Sequence, residues 1–197
     1  MNDLNQQLTF ILEIDRLKAI YRQTFVISDD NRNENSAEHS WHISMMAHIL
    51  HQYAEETVDI SRVVKMLLIH DIVEIDAGDT FAFADQADHE SQEVVELEAA
   101  NRLFGLLPDE QFYMMKNLWL EFELANTADA KFAKAMDRML PLLQNIQNNG
   151  GSWVKHNISK TQVLNRNSYL EQTCPQLWNY ACEQIDVAVS EGWLTDD

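Results

Sequence analysis

The chain has 197 residues, 46% of them hydrophobic, enough for one large domain with a substantial core. A formal net charge of −18 opposes binding to nucleic-acid polymers and anionic membranes, yet permits a small phosphate ester held by a metal and one or two local cations. Only 5 Gly and 3 Pro punctuate the chain, so turns are few and elements long, which favours an all-α protein over a sandwich or barrel.

Residues 2–20 read as a first helix with Leu4, Leu8, Ile11, Leu12, Ile14 and Leu17 along its apolar stripe, and Arg16, Lys18 and Arg22 cluster at its end. Gln23 to Asn35 is polar and reads as a loop. Asn35 or Ser36 is a suitable N-cap for a second helix running to about Tyr53, which carries His39, His42, His48 and His51. A third helix starts at Asp59 and ends near Gly78. Residues 79–89 lack a period and read as a loop able to cover a pocket. A helix over about 90–105 is expected to turn Val94, Val95, Leu97, Ala100, Leu103 and Phe104 inward, and Pro108 opens another that extends to about Ala125.

Asn126 to Asn149 reads as one helix, kinked at Pro141, with Phe132, Ala133, Met136, Leu140, Leu143 and Ile146 on its buried side. Gly150-Gly151 breaks it, residues 152–165 read as irregular, and a last helix spans about 167–191. No repeat or linker divides the chain, so a single domain is expected. Cys174 and Cys182 are too few for a disulfide framework or structural zinc site and read as reduced thiols. No charged-then-apolar leader opens the sequence and no apolar run reaches the roughly 18 residues that span a bilayer, so a cytoplasmic location is expected.

The chemistry centres on Leu67-Leu68-Ile69-His70-Asp71-Ile72-Val73-Glu74, where three ionisable side chains interrupt an apolar helix. Polar groups in such a setting are costly unless paired or bound to a metal. In a continuous α-helix His70 and Glu74 share a face, with Asp71 about 100° round the axis. A divalent cation needs further His or carboxylate ligands from neighbouring elements. His39 or His42 on the second helix can supply a third. Asp137, in the apolar run Phe132 to Leu140, can supply a fourth, although a salt bridge to Lys134 or Arg138 is its ordinary alternative.

An isolated His, a His-Asp doublet and a distant Asp, in this order, resemble the signature of the HD-domain metal-dependent phosphohydrolases, and of their 5′-deoxynucleotidases in particular. The resemblance lies in Glu34-Asn35-Ser36-Ala37-Glu38-His39-Ser40, in His70 to Asp79, in Lys134-Ala135-Met136-Asp137, and in Arg16 to Arg22. It covers about residues 8–145 and leaves the extension from about 150 to 197 without a mapped motif. It implies an HD-type helical bundle over 1–197 and metal ligation by His39, His70, Asp71 and Asp137. One divalent transition metal per chain is expected: Mn, Co, Zn, Fe or Ni. Glu74, with Asp71 beside it, would be catalytic, Arg22 would hold the phosphate, and Arg32 and Asp79 would border the substrate.

The implied reaction is hydrolysis of a (deoxy)nucleoside 5′-monophosphate to nucleoside and phosphate by a homodimer. Gln23 stands where the bacterial deoxynucleotidases carry a tryptophan that helps read the sugar, which weakens the expectation of selection against a 2′-hydroxyl. Two alternatives remain: an HD-domain phosphodiesterase or nucleoside triphosphate hydrolase, and a non-catalytic binding module that a metal staples together.

Overall fold

Asn2 caps the first helix, its side chain accepting from the Asn5 amide, in a computed structural model that describes residues 2–83 and 86–196, the stretch 86–90 by its backbone alone. Helix α1 (Asp3–Glu13) passes into a 3₁₀ turn (Ile14–Ala19). The chain then forms an antiparallel hairpin, β1 (Tyr21–Val26) with β2 (Arg32–Asn35), where the sequence reads as a loop. Asp30 and Asn31 turn it with φ of 49° and 56°, the left-handed conformation that Asp and Asn tolerate best after Gly. The hairpin moves Arg22 off the helix end and onto a strand.

Helix α2 (Ser36–Leu50) is capped by Asn35, whose side chain accepts from the Glu38 amide while the Glu38 carboxylate accepts from the Asn35 amide. Arg32 grips both Glu38 oxygens, at 2.6 and 2.9 Å, and so locks this capping box. Helix α3 (Ile60–Ile69) starts at the N-cap Asp59. The long third helix expected from the sequence is broken here: a 3₁₀ turn (His70–Val73) and a short helix α4 (Glu74–Ala77) follow α3. In 3₁₀ geometry residues three apart eclipse, so Asp71 and Glu74 are brought together rather than His70 and Glu74.

Residues 79–83 lie outside helices, Ala84 and Asp85 lie outside the described residues, and helix α5 (Gln86–Phe104) begins earlier than its apolar pattern indicates. Only the C-terminal part of its expected inner face is buried: Ala100, Leu103 and Phe104 are, while Val94, Val95 and Leu97 are exposed. Leu4, Leu8, Ile11 and Leu12 of α1 are exposed as well, and Phe10 and Leu17 do the packing in that region.

Helices α6 (Asp109–Leu124) and α7 (Ala128–Gln147) follow. Residues 152–165 are not irregular but build most of α8 (Gly151–His156) and α9 (Lys160–Asn167). The last expected helix is two, α10 (Leu170–Thr173) and α11 (Pro175–Ser190), divided at Cys174-Pro175.

Two apolar clusters hold these elements. Ile43, Met66, Leu67, Phe132, Met136, Leu142 and Ile185 belong to one, and Phe10, Leu17, Ile72, Val73, Leu103, Phe104 and Trp119 to the other. Each such side chain contributes about 1.5–3 kcal/mol on burial. Met66 and Leu67 face the first cluster whereas Ile69, Ile72 and Val73 face the second, so the His70–Val73 turn sits at their seam. Among the described residues no helix is long and apolar enough to cross a membrane.

Candidate metal centre and active site

Local structure sets the direction of each polar side chain at this seam. The His70 Nδ1 lies 2.8 Å from the Leu67 carbonyl oxygen, which only accepts, so Nδ1 carries the proton and Nε2 presents its lone pair to the site. His39, fully buried on α2, has Nδ1 at 3.2 Å from Glu34 Oε2 and Nε2 at 3.0 Å from Asp137 Oδ1. Asp137 comes from α7 just where Pro141 supplies no N–H for its carbonyl four residues on. His39, His70 and Asp137 each bring a ligand atom within 4.8 Å of the others. Asp71 flanks this trio, with Oδ1 at 2.8 Å from His70 Nε2 and Oδ2 accepting from Arg22 Nη1 at 2.8 Å.

The charges call for a cation. Asp71, Glu74, Asp79 and Asp137 all lie within 4.0 Å of the Arg22 guanidinium, at 2.8, 3.6, 3.7 and 3.8 Å. One guanidinium does not neutralise these carboxylates even when Glu74 keeps its proton. His70 Nε2 is buried without a hydrogen bond, and its lone pair faces Asp71 and Asp137 oxygens, an arrangement that is repulsive unless positive charge lies between them. Burial alone would depress the His70 pKa, but Asp71 and Asp137 hold it well above the usual imidazole value. Burial opposes ionisation of Asp137 too, yet the imidazoles of His39 and His70 against its carboxylate keep it well below the ordinary carboxylate value. Imidazole nitrogen and carboxylate oxygen together suit a divalent transition metal, and the donor set fits one.

Glu74 behaves differently. Burial, reinforced by Asp71, pushes its pKa well above the usual glutamate value, while the Ser36 hydroxyl donates to Oε2 at 2.5 Å. Asp79 is raised to about 6 by burial against the pull of Arg22. Burial opposes ionisation of Asp71 as well, but His70 and Arg22 hold its pKa below the ordinary carboxylate value, so a proton carrier stands beside an acid that ionises readily. These groups line a cavity of about 330 Å³ with Gln92, Glu96 and Phe122 on its far wall. A smaller adjoining cavity of about 90 Å³ is lined by Gln23, Phe81, Phe83 and Trp153.

Of the residues singled out by sequence, the structure gathers His39, His70, Asp71, Asp137, Glu74, Arg22 and Asp79. It does not bring Arg32 to them: that side chain stands 40% exposed between Asp29 and Glu38. His42, His48 and His51 lie off the cluster as well. Glu34, to which the sequence reading gave no role, packs directly behind this cluster. It is 2% exposed and binds His39, Thr24 and Gln144 at once. It opens the Glu34 to Ser40 stretch that carries the family resemblance, but the polar Asn31 to Asn35 hides its burial, which depends on the hairpin.

The HD domain family model matches residues 14–178, most of the chain. The chain belongs to the HD-domain family. Another HD-domain relative in similarity is the human 5′-deoxynucleotidase HDDC2, 30% identical over 137 residues, which make up 70% of this chain and 65% of that protein. The alignment therefore spans just under two thirds of the human protein's length. A crystal structure of a predicted metal-dependent phosphohydrolase from Magnetospirillum magnetotacticum is 49% identical, covering 98% of this chain and 95% of that one, with a TM-score of 0.91. A conserved hypothetical protein from Pyrococcus furiosus shares the fold at 19% identity, over 91% of this chain and 99% of that one, with a TM-score of 0.61. Membership of the HD-domain family implies a divalent metal, in agreement with the donor set described above.

Proposed function

We propose that this HD-domain protein is a metal-dependent phosphohydrolase that releases phosphate from (deoxy)nucleoside 5′-monophosphates. The observation that carries the reading is the convergence of two imidazoles, two carboxylates, a buried glutamate and a guanidinium on one site. The name of the human relative supports the nucleotide substrate. His39, His70, Asp71 and Asp137 would hold one divalent ion, Mn, Co, Zn, Fe or Ni. Bound there, it supplies Lewis-acid stabilisation of phosphoryl charge and lowers the pKa of coordinated water.

The residues supply the rest. Hydrolysis forms a P–O bond to water and breaks the bond to the 5′ oxygen, which leaves needing a proton. Glu74, whose pKa burial and Asp71 raise, serves as the proton carrier, and the Ser36 contact fixes its carboxyl. Arg22 orients the phosphate through charge-assisted hydrogen bonds. Asp79 shapes the wall beside it. Gln23, with its Oε1 at 3.3 Å from His156 Nε2, borders the sugar side and is read as tolerating a 2′-hydroxyl.

Residues 1–197 are proposed to act as one unit, in the cytoplasm, consistent with two unpaired cysteines. The exposed Leu4, Leu8, Ile11 and Leu12 support a homodimer. Purified protein with Mn²⁺ or Co²⁺ should release phosphate from deoxynucleoside 5′-monophosphates in preference to cyclic nucleotides and triphosphates, and Asp71→Ala should abolish it. Undiminished release by that variant would overturn the reading.

A further inference from the structure

Seven arginines occur in this chain of 32 acidic residues. Arg16, Arg22, Arg32, Arg62 and Arg102 each form at least one ion pair with a carboxylate. Arg138 and Arg166 form none among the described residues, and both border the two cavities described above.

Their geometry divides the labour. Arg138 follows Asp137 on α7. Its Nη1 donates to the Arg166 carbonyl oxygen at 3.0 Å, and its Cζ lies 5.2 Å from the centre of the Tyr169 ring. Its Nε is buried with no acceptor. Arg138 therefore ties the end of α9 to the helix that bears Asp137. The Arg166 guanidinium has no hydrogen bond and no ion pair among the described residues, although it lines the cavity that also holds Arg22, His70, Asp71 and Asp137. Burial lowers its pKa and Arg138 lowers it further, as expected of two like charges held together partly out of water, while Asp137 pulls the other way without pairing with it. Arginine keeps its proton under such pressure, so the charge stays and calls for an anion. Arg22, in contrast, already faces four carboxylates.

We infer that Arg166, anchored by Arg138, is a second guanidinium for the phosphate of the substrate, so that α9 adds a cation to a pocket shared by the hairpin, the His70–Val73 turn and α7. The inference rests on the phosphohydrolase reading for the nature of the anion. Its fork offers paired donors to two phosphate oxygens, in positions where the acidic chain would otherwise repel them.

Titration calorimetry on Co²⁺-loaded protein tests it, with inorganic phosphate, deoxyadenosine 5′-monophosphate and deoxyadenosine as probes. Arg166→Gln should weaken phosphate and the monophosphate by about tenfold or more, the effect of losing a charge-assisted pair, and leave deoxyadenosine unchanged. Arg166→Lys, which keeps the charge and loses the fork, should recover part of the loss. Unchanged phosphate affinity in a folded Gln variant would overturn the assignment, as would an equal loss for deoxyadenosine. Turnover is a separate readout. A wild-type protein that binds phosphate through Arg166 but hydrolyses no monophosphate would refute the nucleotidase reading and leave the anion site standing.

Discussion

Glu34 has no ligand role, yet the metal centre should depend on it. Its Oε2 faces His39 Nδ1 at 3.2 Å and accepts from Thr24 Oγ1 at 3.0 Å, while Oε1 accepts from Gln144 Nε2 at 2.7 Å. It thereby holds the proton on Nδ1 and directs Nε2 towards Asp137, as a carboxylate does behind many metal-bound histidines. In Glu34→Gln the new amide can keep its oxygen on Thr24 and His39, because Gln144 can flip: its Oε1 is buried without a partner and would accept from the new NH₂. What is lost is the charge of one hydrogen bond, about 1–1.5 kcal/mol, or roughly fivefold to tenfold in metal affinity. Glu34→Ala removes the acceptor altogether and leaves three donors facing a gap. It should cost about 100-fold, the upper end for loss of such a partner. Competition for Co²⁺ against a chelator of known affinity, with circular dichroism as a check on folding, measures both. Wild-type affinity in both variants would refute the orienting role.

Other perturbations follow from the same geometry. Glu74→Gln keeps volume but removes the proton, so kcat should fall by about 10²–10⁴ with Co²⁺ affinity nearly unchanged; an equal loss of metal affinity would make Glu74 a ligand instead. Glu96, raised to about 7 by burial and by Glu123, favours the fold when protonated, so that contribution is present below its ordinary value of 4.5 and lost as pH rises through 7. Glu96→Gln should therefore raise Tm relative to wild type above pH 7 and much less at acidic pH, and a pH-independent difference in Tm would contradict the shift. Gly150 has φ of +90°, and an added Cβ would sit 2.6 Å from both Trp193 Cβ and Val154 Cγ2. Gly150→Ala should cost about 2 kcal/mol or more in denaturant unfolding, and a near-neutral result would show that α8 can shift freely.

The proposed metal ligands were legible because their chemistry conflicts with their surroundings: His70, Asp71 and Asp137 interrupt apolar runs that only a buried helix explains. The helical class followed from few Gly and Pro and long periodic stretches. What was not legible depends on contacts distant in sequence. Thr24, Phe25 and Val26 have β-propensity, but the polar Asn31 to Asn35 conceals their partner strand, so the sequence reading places Arg22 at a helix end rather than on a strand and gives Glu34 no role. The 3₁₀ turn at His70 leaves no trace in an apolar pattern that fits an α-helix equally well. Arg32 fell at a motif position, yet Glu38 and Asp29 lie closer and hold it outside. Periodicity also identified apolar stripes on α1 and α5 without revealing whether this chain covers them: Leu12 and Val94 are exposed.

A shared cation gathered by α2, the His70–Val73 turn and α7 underlies every step proposed here. Anomalous diffraction from crystals soaked in Co²⁺ or Mn²⁺ addresses it directly. The strongest peak should lie about 2.0–2.2 Å from His39 Nε2, His70 Nε2 and oxygens of Asp71 and Asp137. A strongest peak among surface carboxylates, with no density between these four side chains, would contradict the account.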